Sequence, residues 1–129
     1  MSKPPIICLC GSTRWADVMA VLAWECEKRG AIVVKPNFLP SWYATSDHLA
    51  EAQGVKAQLD ELHMRKIDLA DLVVAVCFDV DGNPYMGEST RNEFNYALSQ
   101  GKTHARVYGP SVSVDLVPYL QIMAERLVP

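Results

Sequence analysis

At 129 residues, half of them apolar, the chain is long enough to bury roughly two-thirds of its unfolded surface around one core and too short for a second, so a single domain is expected. Fifteen acidic against twelve basic residues leave a net charge of −3, without the basic field that holds a nucleic-acid polymer. No apolar stretch approaches membrane-spanning length and no basic-plus-apolar leader precedes the first strand-length run, so a soluble, cytoplasmic protein is expected.

Ile6-Ile7-Cys8-Leu9-Cys10 is a continuous apolar run stopped by Gly11-Ser12-Thr13, the pattern of a strand buried on both faces. A helix follows over 15–29, where Trp15, Val18, Met19, Leu22 and Cys26 recur at three- and four-residue steps and Gly30 stands at the C-terminal cap. Ala31 to Val34 reads as a second strand, ended by Pro36. Residues 37–47 mix proline, aromatic and small polar residues without periodicity and read as a long surface loop. In that loop Trp42 and Tyr43 offer aromatic faces on which a ligand could stack, or equally an anchor for the loop or a subunit contact.

About 47–69 is mostly helical, with Leu49, Leu59, Leu62 and Ile67 on an apolar side and Gly54 as a break or bend. Leu72 to Phe78 lacks alternation and reads as the central strand. Gly87 to Lys102 is a complete helix closed by Gly101, with Tyr96 assigned to the core. His104 to Tyr108 is a weaker strand, and 114–127 a final amphipathic helix with Pro118 in its first turn or kinking it. Strands alternating with helices predict an α/β fold: a small doubly wound, flavodoxin-like or Rossmann-like parallel sheet of four or five strands, ordered 2-1-3-4.

Cys8, Cys10, Cys26 and Cys77 lie inside apolar runs, with no C-x-x-C pair and no thiol-histidine cluster in view, and read as reduced core thiols. His48, His63 and His104 show no ligand spacing and the carboxylates are scattered, so no metal is expected. In an open parallel sheet the ligand sits beyond the carboxyl ends of the strands, which selects two loops, Gly11-Ser12-Thr13-Arg14 and Asp79 to Arg91. Each leads into a helix N-terminus, where unsatisfied amides and the positive dipole end favour an anion. The first loop offers a glycine, two hydroxyls and a guanidinium that matches phosphate, or else only a capped helix and a solvated Arg14. It has neither dinucleotide-binding nor ATPase spacing. In the second loop Thr90-Arg91-Asn92-Glu93 fits an S/T-x-x-E capping box, which would account for Glu93 without function. The alternative is a catalytic carboxylate at the pocket mouth.

Three stretches together resemble the nucleoside 2-deoxyribosyltransferase superfamily, and particularly its 2′-deoxynucleoside 5′-phosphate N-hydrolase branch. They are Cys10 to Arg14, Ala70-Asp71-Leu72-Val73-Val74-Ala75, and Glu93-Phe94-Asn95-Tyr96-Ala97-Leu98-Ser99-Gln100-Gly101-Lys102. The resemblance implies a small-molecule nucleotide or nucleoside substrate, no cofactor and a homodimer or larger assembly. It makes Glu93 a nucleophile on the anomeric carbon of a 2-deoxyribose, with water completing a hydrolase cycle or a second base a transferase cycle. Gly11, Ser12, Thr13 and Arg14 become contacts to sugar or 5′-phosphate, and Ser89, with Thr90 and the amides after Gly87, a second cradle.

The chain also departs from that family. Where the family has an aspartate before the third strand this chain has His63, which is either a proton donor to the leaving base or a helix-surface residue. Asp60, one turn earlier, and Asp68 are the alternatives. Asn95 replaces a frequent glycine, which implies a differently shaped pocket floor. A non-catalytic nucleotide sensor using the same pocket is the competing reading.

Overall fold

The computed structural model describes residues 3–43, 49–110 and 115–129. The end of the long loop, the helix start read at Asp47, His48, and the start of the last helix at Val114 lie outside the described residues. Strand β1 (Ile6–Cys10) leads through a 3₁₀ turn (Thr13–Trp15) into α1 (Ala16–Lys28), and β2 is Ile32–Val34. Helices α2 (Leu49–Ala52) and α3 (Lys56–Leu69) are separated at Gly54, whose φ of 72° ends the first and resets the chain for the second. Next come β3 (Leu72–Val76), a two-residue pair β4 (Asp79–Val80) and β5 (Asn83–Pro84), α4 (Glu88–Ser99), β6 (His104–Val107) and α5 (Val117–Leu127). No described helix is long and apolar enough to cross a membrane.

Four strands form one parallel sheet in the order β2-β1-β3-β6, so the expected doubly wound topology is present. Alternation along the strands assigns the two faces. Ile7, Leu9, Val74 and Val76 point into a core with α1 and α5, through Met19, Leu22, Leu120 and Ala124. Cys8, Cys10, Val73 and Ala75 point the other way, against Ile67 of α3 and Phe94 and Ala97 of α4. All four cysteines are buried and free, as expected.

Two residues that carried the resemblance act as staples. The Asp71 carboxylate accepts the Ile6 amide at 2.8 Å, fixing the start of β1 beside β3. Lys102 Nζ donates to the carbonyls of Asp68 and Ala70 at 2.8 and 3.0 Å, meeting the negative C-terminal end of α3.

Three expectations change. The segment 79–84, read as loop, is a tight hairpin whose corner residues Asp81 and Gly82 both have positive φ, 52° and 81°, as an Asp-Gly turn demands. Leu62 is exposed, because the inward stripe of α3 runs through His63, Ile67 and Ala70. Tyr96 is only half-buried: its ring packs on the core edge while its hydroxyl donates to Asp68 at 2.6 Å. That contact ties Asp68 to α4.

Beyond β3, the fully buried Phe78 ring lies against Gly109, where an added Cβ would sit 2.6 Å from the ring. Gly109→Ala is therefore expected to destabilise the fold by about 1–3 kcal/mol, read as a lower urea midpoint at unchanged slope.

Candidate active site

The cleft lies at the carboxyl end of the sheet, on the α3 and α4 side. Its volume is about 270 Å³, and its walls come from Thr13 after β1, Pro36 and Asn37 after β2, α2, one side of α3, and Glu93 of α4. A smaller recess of about 80 Å³ borders Asp60, Met64, Ser89, Asn92 and Glu93.

Helix α4 begins earlier than a capping box at Thr90 would require. Its N-cap is Gly87, no side chain among the described residues caps it, and Glu88 supplies the acid in the first turn. Thr90, Phe94 and Ala97 then form the buried stripe, so Thr90 is fixed by packing. Glu93 stands on the flank of that stripe, one turn inside the helix. Its carboxylate does not return to the N-cap; it reaches His63, with Oε2 3.4 Å from Nε2.

His63 is 4 % exposed and is not the surface residue that one sequence reading allowed. Its position in α3 is four residues before Ile67, on the same inward stripe, which drives the ring onto β1. There Nε2 lies 3.4 Å from Cys10 Sγ and 3.9 Å from Cys8 Sγ. The sequence expectation that no thiol-histidine cluster exists is thus corrected. Residues two apart in a strand share a face, and a helix packed on that face supplies the third group. The Cys-x-Cys spacing within a predicted strand was the available signal, and it names no partner.

The electrostatics follow from burial. Burial raises the Glu93 pKa above the ordinary carboxylate value; the charge on His63 pulls it back in part, and Cys8 and Asp60 push it further up. For His63, burial opposes the imidazolium, but the Cys8 hydrogen bond and the Glu93 carboxylate outweigh it, so its pKa also lies above the ordinary value. The two thiols shift in opposite directions. A hydrogen bond from Cys10, opposed by burial and helped by His63 and Lys66, draws Cys8 down to about 6. The same pairing, with burial, pushes Cys10 well up.

The remaining predicted residues divide. Thr13, Asp60, His63 and Glu93 meet at the cleft, and Ser89 joins Asp60 and Glu93 at the recess. Asp60 is exposed and pairs with Lys56 Nζ at 3.0 Å. Gly11, Ser12, Arg14, Gly87 and Thr90 line neither cavity. The Ser12 hydroxyl accepts the Arg14 amide at 3.3 Å, and the Arg14 guanidinium stacks 4.7 Å above the Tyr85 ring. Gly11 makes its close approach to Met19, where an added Cβ would be 3.0 Å from the sulfur. Trp42, 84 % exposed, meets Tyr43 edge-on, and Asn95 faces solvent, away from the cleft floor. The cleft also holds Lys56 and Lys66, which the sequence reading missed because isolated lysines carry no spacing signal.

Fold and cleft define the class: an α/β domain with its open cleft beyond the carboxyl ends of a parallel sheet. No family model matches the chain, and no curated protein matches it in sequence. Among solved structures it is similar to the 2-desoxiribosyltransferase from Leishmania mexicana, at a TM-score of 0.58 and 14 % identity over 81 % of this chain and 65 % of that one. The chain therefore spans just under two thirds of that protein's length, and the likeness is one of fold.

In metal-free protein, an NMR titration of the His63 ring is expected to give a pKa above the ordinary histidine value. Glu93→Gln removes the carboxylate that favours the imidazolium and should lower it; an unchanged His63 titration would disprove the pairing.

Proposed function

We propose that the protein is an N-glycosidase that removes the base from a 2′-deoxynucleoside 5′-monophosphate, with Glu93 as nucleophile. One observation carries this reading: a carboxylate only 13 % exposed, clear of any capping role, lining a cleft and held 3.4 Å from a buried histidine. The likeness of fold to a deoxyribosyltransferase supports the same chemistry.

Cleaving an N-glycosidic bond builds oxocarbenium character at the anomeric carbon. A desolvated carboxylate beside that carbon stabilises the charge and then traps it. In the first half-reaction a Glu93 oxygen bonds to C1′ while the bond to the base breaks and its electron pair leaves with the base, which takes a proton from solvent in the open cleft. In the second, water attacks C1′ as its bond to the Glu93 oxygen breaks, the proton of the water passes to solvent in the open cleft, and the carboxylate is released. His63 acts on Glu93 directly, because its charge favours the ionised carboxylate. Asp60, tethered by Lys56, is suited to accept a hydrogen bond from the base edge. Thr13 and the Lys56 and Lys66 ammonium groups give the cleft its affinity for a phosphate.

Chromatography of each common deoxynucleotide and deoxynucleoside, with and without a second free base, tests the reading. Free base should appear from at least one monophosphate and fall at least about a thousandfold in Glu93→Gln. Formation of a new nucleoside would assign base exchange instead, and thermal stabilisation by a nucleotide without turnover would assign a sensor. With pH, kcat/KM should rise as Glu93 loses its proton, at a midpoint above the ordinary carboxylate value. His63→Asn should move that midpoint to higher pH, since the histidine charge no longer favours ionisation; a midpoint that stays put would remove His63 from this role.

A further inference from the structure

Glycoside chemistry uses Glu93 and His63 but leaves two buried thiols unexplained. Cys8 Sγ, Cys10 Sγ and His63 Nε2 all lie within 4.8 Å of one another, and all three residues are buried. Zinc held tetrahedrally, with Zn–S about 2.3 Å and Zn–N about 2.0–2.1 Å, sets sulfur and nitrogen about 3.6 Å apart. The two distances here, 3.4 and 3.9 Å, bracket that separation. For a nitrogen and a carboxylate oxygen on the same ion the separation is about 3.4 Å, which is also the distance from His63 Nε2 to Glu93 Oε2.

We propose that Cys8, Cys10 and His63 form a binding site for a thiophilic divalent cation, Zn²⁺ foremost, whose fourth position is taken by Glu93 when the site fills. Two thiolates and one neutral imidazole are borderline-soft donors that favour zinc over magnesium or calcium. Two thiolates cancel the charge of the ion inside the buried cluster, and the carboxylate that completes the four donors comes from the cleft side, where the Glu93 side chain is 13 % exposed. The donors come from β1 and α3, elements already held by the sheet and by packing, so the fold does not depend on the ion. His63 Nδ1 is buried without a hydrogen-bond partner among the described residues. A metal-bound histidine ordinarily donates that N–H to an acceptor, and its loss weakens affinity by about 10–100-fold. The site is accordingly exchangeable, not a structural staple. Filling it draws the carboxylate onto the ion, so the metal switches off the nucleophile; this consequence rests on the proposed glycosidase function.

The test uses the full chain, reduced, stripped of metal and kept free of oxygen, titrated with Co²⁺ and then Zn²⁺. One Co²⁺ per chain should bind with a thiolate-to-cobalt charge-transfer band, and Zn²⁺ should displace it. Cys8→Ala and Cys10→Ala should abolish the band, while Cys77→Ala, which removes a buried cysteine outside the cluster, should keep it. His63→Asn, which leaves the strand intact, should weaken binding at least about tenfold. Absence of saturable binding by the folded wild type, or a band that survives loss of both thiols, overturns the site. Base release by the wild type should fall at least about tenfold with saturating Zn²⁺ and return with chelator; uninhibited release by the zinc-loaded protein overturns capture of Glu93. A metal-free protein that never releases base counts against the glycosidase alone, because the cobalt band still decides the metal site.

Discussion

Strand β1 is paired along both edges, with β2 and β3, and covered on both faces, by α1 and α5 on one side and α3 and α4 on the other. No side chain in its interior meets water. Chemistry can therefore enter only at its carboxyl end or through groups that neighbouring helices press against it. The cleft follows from the first route, where Thr13 leaves the sheet. The cluster of Cys8, Cys10 and His63 follows from the second.

Placing His63 on the inward stripe of α3 has a cost that the fold tolerates. A buried imidazole without a partner for Nδ1 among the described residues, beside a largely buried carboxylate, is the kind of local penalty that ordinary core residues would avoid. Electrostatics explain why the arrangement is chemically useful. Each group shifts its neighbour: burial raises the Glu93 pKa and the His63 charge pulls it back in part, while the Glu93 carboxylate helps hold the His63 pKa above the ordinary value.

The helix carrying Glu93 shows how local pattern and global position compete. Thr90-Arg91-Asn92-Glu93 satisfies the capping-box spacing, yet the helix starts at Gly87, so both polar residues fall inside it. Thr90 turns into the core and Glu93 toward α3. The shift of one turn is settled by Phe94 and Ala97, whose burial against the sheet fixes the phase of the helix. A similar contest on α3 exposes Leu62 and buries His63, against their average preferences.

By itself the sequence determined the element order, the parallel sheet and its central strands, the breaks at Gly54 and Gly101, and Glu93 as a residue near the strand ends, because apolar periodicity and glycine stereochemistry act over a few residues. It also held Asp-Gly at 81 and 82, a hairpin signal that is local and readable. Tertiary structure alone decided which side chains meet: His63 with Glu93 and with Cys8 and Cys10, and Arg14 with Tyr85 rather than with the cleft. Contacts between residues about thirty to eighty apart depend on the rotation of each helix against the sheet, and that rotation is set by the summed packing of whole faces, which no short motif encodes.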